Sequence, residues 1–161
     1  MSRTHTVVHS PIGSLTVVRE GECLVRLAMS PPGRFVDSDI GERSDEGFDD
    51  VVRQLGEYFA GERTDFDLPL RPVGSGFELA VWGQLTQIPY GETRSYGYIA
   101  KAVGEPAGAQ AVGAANGRNP IAIVVPCHRV IGADGSLVGF GGGLPRKRFL
   151  LDLEQRADRL F

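Results

Sequence analysis

Apolar and polar positions alternate in Thr6-Val7-Val8-His9, Leu15-Thr16-Val17-Val18 and Cys23-Leu24-Val25-Arg26-Leu27, the period of strands with one face buried. Ser10-Pro11-Ile12-Gly13 and Glu20-Gly21-Glu22 interrupt these runs with turn-forming residues, which predicts a three-stranded antiparallel meander. From Ser30 to Glu46 no period holds. Pro31-Pro32-Gly33 and scattered acids there read as a solvated surface loop without function. Between Phe48 and Phe59 the spacing turns helical, with Val51, Val52, Leu55, Tyr58 and Phe59 on one face and Gly61 as the stop. A second helix is predicted from about Gly76 to Gln87, burying Phe77, Leu79, Ala80, Val81, Trp82 and Leu85 and ended by Ile88-Pro89-Tyr90-Gly91. Trp82 is assigned to its core side rather than to an exposed stacking role.

Further on, the segment from Ser95 to Val103 reads as a capped helix. Gly104-Glu105-Pro106 reads as a turn, and the segment from Ala107 to Asn116 as a second short helix. The pair is a helix-turn-helix candidate, a generic pattern by itself. Its second helix is almost bare of side chains: Ala107, Gly108, Ala109, Ala111, Gly113, Ala114 and Ala115 let the backbone come close to another surface. The apolar run Ile121-Ala122-Ile123-Val124-Val125 then leads, buried, into Pro126-Cys127-His128-Arg129-Val130. A last helix starts near Pro145, a favoured first-turn position.

Composition narrows the classes. With 161 residues, 42% hydrophobic and 23% charged, the chain can build a core without staples, and one folded unit is expected. No apolar run approaches a membrane span and the first residues do not lead into a signal peptide, so the expected compartment is the cytoplasm. Two cysteines, Cys23 and Cys127, are too few for a disulfide framework and lack zinc-site spacing. The net charge of −3 argues against a nucleic-acid partner until it is divided along the chain. Residues 1–75 carry 8 Lys/Arg against 13 Asp/Glu, and residues 76–161 carry 9 against 7. Only the second part is suited to meet phosphate.

Cys127 is the candidate nucleophile. Burial alone would make it inert, but His128 beside it can take the thiol proton, directly or through a water, and Arg129 adds positive potential. Glu154 on the last helix is the candidate carboxylate to orient the imidazole, with a solvated helix face as its plainer reading. Gly139-Phe140-Gly141-Gly142-Gly143 has too little side chain to pack and suits a flexible lip over which a ligand approaches the backbone.

These segments together resemble the O6-alkylguanine-DNA alkyltransferases, the methylated-DNA–protein-cysteine methyltransferase family. The resemblance runs over nearly the whole chain: Ser10-Pro11-Ile12-Gly13, Ile88-Pro89-Tyr90-Gly91-Glu92, Ser95-Tyr96, Ala111-Val112-Gly113, Asn119-Pro120, Pro126-Cys127-His128-Arg129-Val130 and the glycine segment. It implies an α/β fold in two lobes. Residues 1–72 would form a small α/β lobe with a three-stranded antiparallel sheet. Residues 73–161 would form a mostly helical, winged-helix-like lobe with the helix-turn-helix and the cysteine pocket.

The resemblance further implies direct, stoichiometric repair. An alkyl group passes irreversibly from O6-alkylguanine, and from O4-alkylthymine, to Cys127. A thioether is not readily reversed, so each molecule acts once. No metal and no organic cofactor is called for, because the substrate carries its own electrophile. The partner is double-stranded DNA, approached through its minor groove by a monomer, with the damaged nucleotide rotated out of the stack. By the same resemblance His128 is the base acting through water, Glu154 positions it, Asn119 is the hinge before the nucleophile segment, and Tyr96 contacts the flipped base and donates a proton. Val130, Gly141 and the Cys127 backbone read the base edge, with Phe140 at the lip. Ser95, Ala109, Gln110, Ala111, Gly113, Arg118 and Arg129 are the DNA-contacting set.

Two departures stand out. Gln110 occupies the position of an arginine that fills the gap left by the flipped base, and Phe140 that of a tyrosine. Retained chemistry with weakened DNA affinity or flipping is expected. Two other readings remain at this stage: a lesion sensor without transfer, disfavoured by the presence of Cys127, and a turnover hydrolase built on Cys127, His128 and Glu154.

Overall fold

In the computed structural model, residues 2–29, 40–104, 108–137, 140 and 143–159 are described, the last segment with side chains through 156. The chain divides into two compact units, Met1–Pro72 and Val73–Phe161.

In the first unit the alternating runs become β1 (Arg3–Ser10), β2 (Gly13–Glu20) and β3 (Cys23–Met29), paired antiparallel through Thr6↔Val17 and Val17↔Leu27. Leu15, Val17, Val18, Leu24 and Leu27 form the buried side. The sheet has a fourth strand that the pattern did not reveal. β4 (Glu42–Arg43) pairs parallel with β1, giving the order β3-β2-β1-β4. It lies within the stretch expected to be a loop, so that expectation is corrected for Glu42 and Arg43; Ser30 to Asp39 lies outside the described residues. Gly41 makes the pairing possible. Its φ is +71°, and a Cβ there would stand 1.8 Å from the Arg3 carbonyl oxygen. The Thr6 hydroxyl donates to Asp45 at 2.6 Å, which fastens the segment from its other end.

α1 (Asp49–Phe59) packs on this sheet through Val51, Leu55 and Tyr58. Val52, expected on the buried face, is exposed. Gln54 is buried instead, its amide donating to the Asp67 carbonyl at 3.0 Å and accepting from the Asp67 N–H at 2.8 Å. That pair replaces a backbone ladder for the segment after the helix.

The second unit opens with α2 (Gly76–Leu85), started by a capping box in which Ser75 and Glu78 satisfy each other's backbone N–H groups. Val81, Trp82 and Leu85 are buried, whereas Leu79 and Ala80 face outward, so the apolar side is narrower than the sequence suggests. α3 (Tyr96–Ala102) is capped by Ser95, whose hydroxyl accepts the Tyr98 N–H at 3.0 Å. α4 (Ala109–Gly117) packs against α2 and α3; Glu105, Pro106 and Ala107, read as the turn and the start of the second helix, lie outside the described residues. β5 (Arg94–Ser95) and β6 (Val130–Ile131) form a small parallel pair, and α5 (Leu144–Arg159) closes the chain. Among the described residues no helix is long and apolar enough to cross a membrane.

Candidate active site

The approach to Cys127 is a knot of tight turns rather than a strand. The Val124 N–H donates to Ala122 at 2.8 Å and the Val125 N–H to Ile121 at 3.0 Å. Ile123 between them holds φ at +72°, the one non-glycine residue with positive φ among those described. A β-branched residue in that region is strained, and the surroundings must hold it there. Ile123 is 1% exposed, and Asn119 spans the knot. The Asn119 amide donates to the Val125 carbonyl at 2.8 Å while its oxygen accepts the Ile121 N–H at 3.1 Å. The expected hinge residue is thus a clamp on the segment that presents the cysteine.

Cys127 starts a single 3₁₀ turn, Cys127–Arg129, and is buried. Burial pushes its thiol up from the ordinary value of 9.0. The Asn119 side chain and the Lys147 ammonium act in the opposite direction without reversing the shift. The resting sulfur is therefore a protonated thiol. A base must take its proton when the reaction occurs.

His128 is fully buried, and its Nε2 lies 2.7 Å from Glu154 Oε2. Burial lowers the imidazole's pKa below 6.5, against the pull of Glu154. For Glu154 burial opposes the charge, but hydrogen bonds from His128 and Arg129 outweigh it and hold the carboxyl down to about 2. With Arg129 already neutralising Glu154, the imidazole stays neutral. It donates Nε2–H to the carboxylate, which leaves Nδ1 as the acceptor nitrogen. Nδ1 is buried and has no hydrogen-bond partner among the described residues. This is the protonation state of a base ready to accept.

Arg129 does not point outward, as its assignment to the DNA-contacting set and to the cysteine's field required. It is 7% exposed. Its Nε and Nη2 donate to Glu154 at 2.8 and 3.1 Å, and Nη1 donates to the Ile88 carbonyl at 2.7 Å. The reason is electrostatic: a buried carboxylate on α5 requires a fixed cation, and the bidentate guanidinium supplies one. The cation near the sulfur is Lys147, which sequence reasoning missed. Lys147 is fully buried, its Nζ donates to the Val130 carbonyl at 2.6 Å, and it lies 5.9 Å from the centre of the Tyr96 ring. Its spacing with Leu150, Leu151 and Glu154 on α5 was the signal available.

Tyr96 is half-buried at the start of α3, with burial raising its phenol above 10.0 and Cys127 close enough to add to that shift. Val130 is buried, and its carbonyl is already engaged by Lys147. Phe140 is partly exposed, while Gly141 lies outside the described residues, as do Gly139 and Gly142 of the expected lip. Ala109, Gln110 and Ala111 are exposed at the start of α4, with Gly113 half-buried behind them. Arg118, just past the end of that helix, is exposed and reaches Glu78 at 3.5 Å. Ser95 is occupied as a helix cap. The structure therefore brings Cys127, His128, Glu154, Asn119 and Tyr96 into one unit with Lys147, and keeps Gln110 and Arg118 on the surface.

The chain is similar to known proteins over most of its length. Residues 76–156 match the model of the 6-O-methylguanine DNA methyltransferase DNA-binding domain, and residues 4–72 that of the ribonuclease-like domain of the same family. A methylated-DNA–protein-cysteine methyltransferase of Mycolicibacterium paratuberculosis is 53% identical over 152 residues, covering 94% of this chain and 92% of the relative. One from Methanosarcina acetivorans is 47% identical over 151 residues, covering 93% and 97%. The crystal structure of the Mycobacterium tuberculosis protein in complex with DNA superposes with a TM-score of 0.90 at 49% identity, covering 96% of this chain and 94% of that one.

Proposed function

Because the chain belongs to the 6-O-methylguanine DNA methyltransferase family, which repairs alkylated DNA by transferring the alkyl group to a cysteine, we propose that Cys127 is its acceptor. The observation that carries this assignment is the buried series of Cys127, neutral His128 with an open Nδ1, and Glu154 locked by Arg129. Cys23, the other cysteine, lies on a strand of the first unit.

The step is an in-line displacement. His128 Nδ1 takes the Cys127 proton through a water, and the sulfur forms a bond to the alkyl carbon as that carbon's bond to O6 breaks. The released electron pair returns to the purine, which takes up a proton from Tyr96. Tyr96 is restored through the proton held on His128, so protons and charge balance. Lys147 stabilises negative charge on the sulfur while it lasts. Asn119 keeps the nucleophile segment in place.

A buried sulfur cannot reach a stacked base, so the damaged nucleotide must rotate out of the duplex. The bare outer face of α4, with Ala109, Gln110 and Ala111 and with Gly113 half-buried behind them, is the surface for close approach to the minor groove. The edge of the extruded base is read by the backbone at Cys127, Val130 and Gly141, with Phe140 beside it. The protein acts as a monomer, and its reduced thiol fits the cytoplasm.

Intact-mass measurement after mixing with a duplex that carries one O6-methylguanine tests the assignment. One methyl adduct, mapped to Cys127 and absent from Cys127→Ala, is expected. Methyl found on Cys23, or several guanines restored by each protein molecule, would reject it.

A further inference from the structure

We propose that Asn116 is a positioning residue for the transfer, its amide tying the Cys127 turn to the Tyr96 hydroxyl so that nucleophile and proton donor share one frame. The inference rests on the roles given to Cys127 and Tyr96 above. Asn116 lies in the last turn of α4 and is 2% exposed, in a helix otherwise built of Ala, Gly, Val and one exposed Gln. An amide in such a place must be satisfied by specific partners or it costs stability.

Those partners belong to the active site. One Asn116 N–H donates to the Cys127 carbonyl at 3.2 Å. Gly113, three residues earlier and so on the same helix face, lies against the Tyr96 ring: a Cβ there would sit 3.9 Å from Cδ1 and Cε1. Asn116 stands on that face, one turn beyond the ring contact. Burial raises the phenol's pKa, Cys127 raises it further, and the hydrogen bond from Asn116 draws it back. A primary amide has two N–H donors, one for each of these acceptors. Its oxygen Oδ1 is buried with no hydrogen-bond partner among the described residues. An oriented donor pair accounts for that orphan, because flipping the amide would lose both contacts.

The test is a double-mutant cycle of Asn116→Leu and Tyr96→Phe, read as the single-turnover rate of methyl transfer from a saturating O6-methylguanine duplex. Asn116→Leu is expected to slow transfer about fivefold, the scale of one hydrogen bond. It should leave DNA affinity unchanged and move the alkaline limb of the pH profile upward, because the phenol loses a donor. In the Tyr96→Phe background the slowing should vanish. Equal slowing in both backgrounds, or none in either while Tyr96→Phe remains slow, overturns the inference. A Tyr96→Phe protein that transfers at the wild-type rate overturns the role of Tyr96 beneath it. If Asn116→Leu does not fold, Asn116→Ala enters the same cycle with the same outcomes.

Discussion

Each unit holds a cluster of arginine and carboxylate side chains, and water separates their roles. On α1, Arg53 reaches Asp50 and Glu57 at 3.3 Å, and Arg63 reaches Glu57 at 2.8 Å, with the Arg53 side chain 52% exposed. In the second unit Arg129 meets Glu154 at the same 2.8 Å, but the side chains are 8% and 1% exposed. Exposed pairs of the first kind are screened and contribute about 0–1 kcal/mol. In the buried pair, desolvation offsets most of the attraction. Distance alone therefore says little about what an ion pair does. The surface cluster decorates a helix, whereas the buried one fixes an imidazole.

Removing one partner from each cluster makes the comparison quantitative. Glu154→Gln leaves a guanidinium buried without its counter-charge and should lower unfolding stability by about 3–5 kcal/mol in urea titration. A loss below about 1 kcal/mol would place this pair with the surface class. The same carboxyl should govern acid sensitivity. Its pKa is depressed from 4.5 to about 2 in the folded protein, so its stabilisation is present above 4.5 and is lost as pH falls through that window toward 2. Unfolding curves of Glu154→Gln should be flatter than wild type over that range.

Smaller effects belong to the first unit. Gln54→Leu, which strips two hydrogen bonds from Asp67 in a buried setting, should cost about 1–3 kcal/mol by the same titration. Glu57→Gln, weakening one exposed and one part-buried ion pair, should change stability by less than about 1 kcal/mol. Smallest in stability is Gln110→Arg on the exposed start of α4. It should tighten DNA binding and steepen the slope of log affinity against log salt by about 0.9, one phosphate neutralised. An unchanged slope would mean that this position does not meet the backbone.

The sequence made the meander, the order of helices and the start of each readable because periodicity and caps are local. β4 was not readable. Two residues carry no period, and their pairing depends on Gly41 fitting against Arg3, a contact made only after folding. The chemistry of the cysteine's neighbours, joined to the family likeness, led to Cys127, His128 and Glu154. It did not reveal that Arg129 turns inward, since a basic residue beside a nucleophile reads equally well as a surface cation until the carboxylate it serves is seen. Lys147 was hidden by its neighbours: in Arg146-Lys147-Arg148 composition suggests a solvated stretch, while helical spacing puts the middle residue on the buried face. The positive φ at Ile123 runs against local preference and is set by the Asn119 clamp.

Trp82 is the sole tryptophan in the chain, and its indole N–H donates to the Ala115 carbonyl at 2.9 Å, one residue before Asn116. Its emission is thus an internal optical gauge for α4. Any displacement of that helix alters the polarity and hydrogen bonding of the fluorophore, so stopped-flow recordings can separate DNA engagement from the chemical step without an attached dye.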